Sequence, residues 1–190
     1  MDNARFLAIK LLNKTFDKQG FSNLVLDYAL SNAQLEPQDK RFCSMLYYGV
    51  IERKITLDYI ISKYSKKPLN KLDLSILNIL RCGIYQLKYM DSVPDSAAIN
   101  ESVKLVKKYR LTSAAGFVNA VLRNFVRDNK EFSLPKEKIA RFSLEYSAPE
   151  WLVKKLLEEY DEESAISVLE SSVLKAPVTI RLNNIIADEE

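Results

Sequence analysis

Apolar residues recur along this chain at intervals of three and four, and no alternation of period two appears before residue 176. That spacing predicts helices. Ala4, Leu7, Ala8, Leu11 and Leu12 share one face of a first helix that Asp2 or Asn3 would cap and that Gly20 ends. A second helix is expected over 22–31. Pro37 occupies a first-turn position of a third, which would carry Phe42, Met45, Leu46 and Val50 inward. A fourth holds Leu57, Ile60 and Ile61 and stops at Lys66-Lys67-Pro68. Asp73 caps the most apolar segment, Leu74 to Leu87, which is hydrophobic on two sides and so predicts the central helix of a bundle. Helices from Pro94-Asp95 and from Thr112 or Ser113 complete the body. The fold class is all-α.

After Pro135 the pattern shortens. Helices are expected over about 136–146, 149–160 and 162–173, with Trp151 pinning this connector to a neighbour. Val178, Ile180 and Leu182 then alternate with Thr179 and Arg181, which reads as a strand. A lone strand cannot pair its own backbone, so it implies the start of a further domain. The divisions are 1–130 for a helical body, 131–175 for the connector and 176–190 for the first strand of a truncated subdomain.

Charge sharpens that division. Residues 1–130 hold 21 Lys/Arg against 12 Asp/Glu, and residues 131–190 hold 7 against 13. A basic body with an acidic end points to a polyanionic partner for the body alone. The chain has no histidine, so imidazole chemistry and histidine metal ligands are excluded. Its four glycines stand apart and build no phosphate- or cofactor-cradling turn. Cys43 and Cys82 sit in apolar helical patterns without Cys-x-x-Cys spacing and are read as buried structural thiols, not a zinc site or a disulfide. No apolar run reaches the roughly 20 residues that a membrane span needs, and the N-terminus lacks a signal-peptide core. The chain is read as cytoplasmic, with no catalytic, cofactor or metal site of its own.

Basic residues interleaved with aromatics remain as candidate chemistry. Asn119, Arg123 and Arg127 recur every four residues, a polar stripe opposite an apolar face. Lys40, Arg41, Arg53 and Lys54 add cations near Tyr47, Tyr48 and Tyr85. Arginine forks suit phosphate oxygens, and tyrosine faces stack exposed bases. A solvated helix face explains such a stripe equally well. Arg81 lies within the most apolar helix and needs a paired acid, with Asp39, Asp73 and Glu101 as candidates.

Several blocks resemble the NusB-like RNA-binding domain: Asp39-Lys40-Arg41-Phe42, Leu46 to Arg53, Leu80 to Leu87, Ala97 to Val103 and Gly116 to Arg123. Two families share that domain, the free-standing antitermination factor NusB and the N-terminal part of the RsmB (Sun/Fmu) ribosomal RNA cytosine-C5 methyltransferases. Asn119-Ala120-Val121-Leu122-Arg123 is closer to the second, since antitermination factors usually place glycine after the asparagine and an acid after the leucine. Tyr146 to Val153 resembles the connector leading into a methyltransferase, and Val178 to Asn183 the first strand of its pre-catalytic subdomain. The resemblance implies a NusB-like bundle that binds small-subunit ribosomal RNA and positions a cytosine for a catalytic domain in cis. S-adenosylmethionine would serve that full-length parent, since neither cysteine here follows a proline as a catalytic one does. The antitermination factor is the alternative. Asn100, Glu101, Gly116 and Asn119 match motif positions; hydrogen-bonded cross-links between helices are expected of Asn100 and Glu101, with RNA contact as the alternative.

Overall fold

The computed structural model describes residues 4–18 and 22–174, and among these every regular element is helical. The body comprises α1 (Ala4–Lys18), α2 (Ser22–Asn32), α3 (Pro37–Glu52), α4 (Lys54–Tyr64), α5 (Leu74–Tyr89), α6 (Asp95–Lys108) and α7 (Ala115–Arg127). Then follow α8 (Lys138–Tyr146), α9 (Glu150–Glu159) and α10 (Glu162–Val173). The strand expected over 176–183 lies outside the described residues.

α5 is central because it is apolar nearly all round: Ile76 to Ile84 are buried without a break, and α1, α3, α4, α6 and α7 pack on it. Asp73 starts it, accepting hydrogen bonds from the Ser75 and Ile76 amides at 2.8 and 3.3 Å. Two glycines let its neighbours approach. A Cβ on Gly49 of α3 would fall 2.0 Å from the Tyr85 ring, and one on Gly83 would fall 2.8 Å from Leu122 of α7. The inward arc of α3 is Cys43, Leu46, Tyr47 and Val50; Met45 lies off that arc and is 54% exposed, not inward as its spacing implied. Thr112–Ala114 forms a tight 3-10 turn, so the α-helical part of α7 begins at Ala115, later than Thr112 or Ser113.

Arg81 is buried, and its acid is none of the three expected. Its guanidinium forks onto Asp58 of α4, with Nε–Oδ1 at 2.6 Å and Nη2–Oδ2 at 2.8 Å, and Nη1 donates to Asn78 Oδ1 at 2.8 Å. Asp58 lies on the helix that faces Arg81, whereas Asp73 is committed to capping α5. Asn78 donates on to Asn13 Oδ1 at 2.8 Å, and Asn13 to Ser75 Oγ at 2.9 Å, so one polar chain ties α4, α5 and α1 together.

The connector has its own small core of Phe142, Ala148, Val153 and Leu169. Trp151 is outside it at 68% exposure, because Leu152, Val153, Leu156 and Leu157 form the inward face of α9. The connector docks on α4. Thr56 Oγ1 donates to the Leu144 carbonyl at 2.6 Å, the Ile55 amide to Ser147 Oγ at 3.2 Å, and Arg53 Nη1 to the Glu145 carbonyl at 3.3 Å. Ser147 makes the turn into α9 with a left-handed backbone, φ 54°.

Candidate nucleic-acid interface

The seven candidate residues divide into three places. On α7, Val118, Val121, Leu122 and Phe125 are buried, which turns Asn119, Arg123 and Arg127 outward. The Asn119 carboxamide accepts from Arg123 Nε at 3.0 Å and so orients the guanidinium along the helix surface. Arg127 is exposed, with its nearest carboxylate, Asp128, at 3.9 Å. These three form one stripe.

Lys40 and Arg41 lie in the first turns of α3, Arg41 exposed and Lys40 partly so. Arg53 and Lys54 lie at its other end, about 20 Å away at 1.5 Å per residue. They also face inward contacts. Arg53 stacks over the Tyr89 ring at 5.2 Å while it holds the connector, and Lys54 pairs with Asp58 at 3.3 Å. α3 and α7 each pack on α5, so the three places are brought onto one scaffold but not into one cluster.

The tyrosines expected to stack bases are largely structural. Tyr47 is fully buried, its hydroxyl 2.6 Å from Thr15 Oγ1, because it sits on the inward arc of α3. Tyr85 fills the space that Gly49 vacates. Of the two motif residues on α6, Asn100 is exposed and cross-links no helices through burial, while Glu101 pairs with Lys104 of its own helix at 2.7 Å and also acts on Arg5 of α1 through its charge.

Sequence reasoning does not anticipate one groove among the described residues. It has a volume near 660 Å³ and runs between the end of α4, the start of α5 and α7. Leu72, Ile76, Leu111, Phe117 and Val121 give it an apolar floor, and Lys66, Lys67 and Lys71 stand on its rim. The signal that could have found it is the group of lysines around Pro68, which on pattern alone marks only a helix stop. A smaller cleft of about 400 Å³ joins Arg53, Lys88, Tyr89 and Phe132 where the connector meets the body. Burial lowers the Lys88 pKa there, against the raising field of Glu131.

Neither cysteine is poised for chemistry. Cys43 and Cys82 are buried; desolvation pushes the Cys43 thiol up to about 12 and raises Cys82 as well. Gly49 and Gly83 are consumed by helix contacts, so no glycine-rich turn for S-adenosylmethionine exists among the described residues. Those residues do not fit that cofactor. Nor, among them, is there a cluster of metal-binding side chains or a helix long and apolar enough to cross a membrane.

Residues 2–127 match the NusB family. The chain belongs to that family. A NusB-family relative, the transcription antitermination protein NusB of Dictyoglomus thermophilum, is 34% identical over 129 residues, covering 67% of this chain and 87% of the relative. The probable ribosomal RNA small subunit methyltransferase B of Bacillus subtilis is 33% identical over 187 residues, covering 98% of this chain and 42% of the relative. This chain therefore spans under half the length of that methyltransferase. Among solved structures, one of antitermination factors NusB and NusE in complex with dsRNA superposes with a TM-score of 0.61 at 22% identity, covering 66% of this chain and 95% of the other. That likeness establishes the NusB helical bundle.

Proposed function

We propose that this NusB-family chain is the RNA-binding, substrate-positioning part of an S-adenosylmethionine-dependent ribosomal RNA cytosine-C5 methyltransferase. One observation carries the choice over an antitermination factor. Similarity to the methyltransferase continues through α8, α9 and α10, whereas similarity to the antitermination protein covers only two-thirds of the chain. The docked connector supports the same reading, since it ties whatever follows to a fixed face of α4. Residues 1–130 are the RNA-binding body, 131–175 the connector and 176–190 the beginning of a further subdomain. Small-subunit ribosomal RNA is the partner, met first by Asn119, Arg123 and Arg127, with Lys40 and Arg41 on α3 as a second contact. Arg53 and Lys54 contribute through their position beside the connector. The methyl donor and the nucleophile belong to a catalytic domain acting in cis in the cytoplasm.

The test is fluorescence anisotropy at two salt concentrations, comparing a structured small-subunit ribosomal RNA fragment with a single-stranded antitermination-type RNA. Tighter, salt-sensitive binding of the structured fragment is expected. Replacing Arg123 and Arg127 with alanine should weaken it and reduce the salt slope by about one counterion for each phosphate that is no longer neutralised. A preference for the antitermination RNA would move the assignment to that class, and binding to neither would remove the RNA role.

A further inference from the structure

We infer that the cleft where the connector meets the body is an anion site, which seats one phosphate group between Arg53, at the junction of α3 and α4, and Lys88 of α5. The cleft lies at the far end of α5 from the lysine-rimmed groove, so the site stands or falls apart from the RNA-binding reading above.

Four charged side chains line the cleft, and burial divides them by sign. Arg53 and Lys88 are half-buried, whereas Glu131 and Glu145 are exposed. Neither cation has a carboxylate within ion-pair distance among the described residues. Water screens the exposed acids more than the half-buried cations, so the inner cleft keeps a positive field. Each cation also raises the cost of the other. The Lys88 amine is held below its ordinary pKa by burial first and by the charge of Arg53 as well, against the raising field of Glu131. An anion between the two offsets both costs.

The donors there are incompletely used. Lys88 Nζ has one acceptor among the described residues, the Lys130 carbonyl at 3.4 Å, and otherwise faces the rings of Phe132 and Tyr89 at 5.1 and 5.8 Å. An ammonium carries three N–H donors, so two of them have no protein acceptor. Arg53 makes one long hydrogen bond, from Nη1 to the Glu145 carbonyl at 3.3 Å, and its guanidinium lies 5.2 Å over the Tyr89 ring. The remaining guanidinium donors suit the paired oxygens of a phosphate. A carboxylate would neutralise only one of the two cations, whereas a phosphate monoester carries close to two negative charges. With a volume of about 400 Å³, the cleft also holds a small organic group against Phe132 and Leu134.

Occupancy bears on the joint itself. Arg53 holds α8 through the Glu145 carbonyl, and Lys88 holds the start of the connector through the Lys130 carbonyl. A phosphate gripped by both side chains links these two contacts, so binding tightens the connector on the body. The phosphate can be that of a free small molecule or of a nucleic-acid end. The recognising chemistry is the same for both.

The experiment titrates inorganic phosphate into the whole isotope-labelled chain, with chloride exchanged for it at constant ionic strength. Saturable shifts are expected in the Arg53 Nε–H and in the Lys88 and Lys130 amides, together with slower hydrogen exchange in α8. The charged and titratable groups facing the Lys88 amine are Arg53, Glu131, Glu145 and Tyr89. Followed by its side-chain carbon signal, Lys88 should titrate below the exposed lysines in chloride and move upward in phosphate, because an anion favours the protonated amine. Lys88→Met keeps the stem against the rings and should weaken phosphate binding about tenfold or more. Glu131→Gln/Glu145→Gln removes the two acids and should tighten it about threefold, a gain that misfolding cannot imitate. Shifts that chloride reproduces, or that persist unchanged in Lys88→Met, overturn the site. A 5′-phosphorylated oligouridylate that shifts these amides more strongly than inorganic phosphate, while its unphosphorylated form leaves them alone, supports the site with a nucleic-acid end as its source. Tighter binding of inorganic phosphate supports it with a free small molecule. RNA bound through Arg123 and Arg127 with no phosphate response in the cleft overturns the site and leaves the proposed function standing.

Discussion

Arg81 shows how one buried charge is made tolerable in a helical core. Removing a guanidinium from water is costly, and only a carboxylate with matched geometry and further hydrogen bonds offsets it. Asp58 supplies the fork and Asn78 takes the remaining Nη1 donor. Phe16 adds its ring face at 5.0 Å. Replacing Asp58 with alanine leaves the guanidinium buried and unpaired, and should cost about 3 kcal/mol or more in urea unfolding at neutral pH. A loss below about 1 kcal/mol would mean that water reaches Arg81 in the folded protein. Sequence alone marks Arg81 as needing an acid but cannot choose it. Partner choice depends on which helix crosses α5 at that level, and carboxylates stand on several of the helices around it. Tyr47 illustrates the same limit. A tyrosine on a basic helix looks like a stacking platform until the bundle turns that arc inward.

At the scale of elements, the helices were legible because their signals are local: period, caps and the prolines at Pro37, Pro94 and Pro149. What was not legible was relative placement. The lysines near Pro68 and Phe117 and Val121 of α7 are far apart in sequence and line one groove only because α5 holds both elements. Two caps in the connector make a pH prediction. Glu137 accepts hydrogen bonds from the Ile139 and Ala140 amides, and Asp161 from the Ser164 amide, and these bonds lower both carboxyl pKa values below their ordinary 4.5 and 3.8. A lowered folded-state value gives stability that is fully present above the ordinary carboxylate range and is lost as pH falls through the lowered values. The first turns of α8 and α10 should therefore open in acid below about pH 4. Amide chemical shifts of Ile139, Ala140 and Ser164 followed down the pH scale would report it. Unmoved shifts through that range would remove the caps from the acid response.

For the whole molecule, the joint between body and connector decides whether it acts as one unit. Three contacts cross it onto the Leu144, Glu145 and Ser147 level, and the shortest comes from buried Thr56. Thr56→Val keeps the shape and removes the donor, leaving the Leu144 carbonyl unsatisfied at a cost of about 1–3 kcal/mol. Hydrogen exchange should then speed up in α8 to α10 while α5 keeps its protection. Equal acceleration in both parts would mean that body and connector unfold as a single cooperative unit.

The two thiols, one on α3 and one on α5, lie where those helices meet the rest of the core. Burial holds both as the unreactive protonated form. The molecule therefore carries a built-in clock. An alkylating reagent cannot act on the closed bundle, so each modification event counts one opening of its central helices. At high reagent concentration the labelling rate should equal the opening rate itself, and at low concentration it should track how often the open form is occupied. RNA that binds the folded body should slow the clock in the second regime, turning every alkylation time course into an affinity measurement that needs no label on either partner.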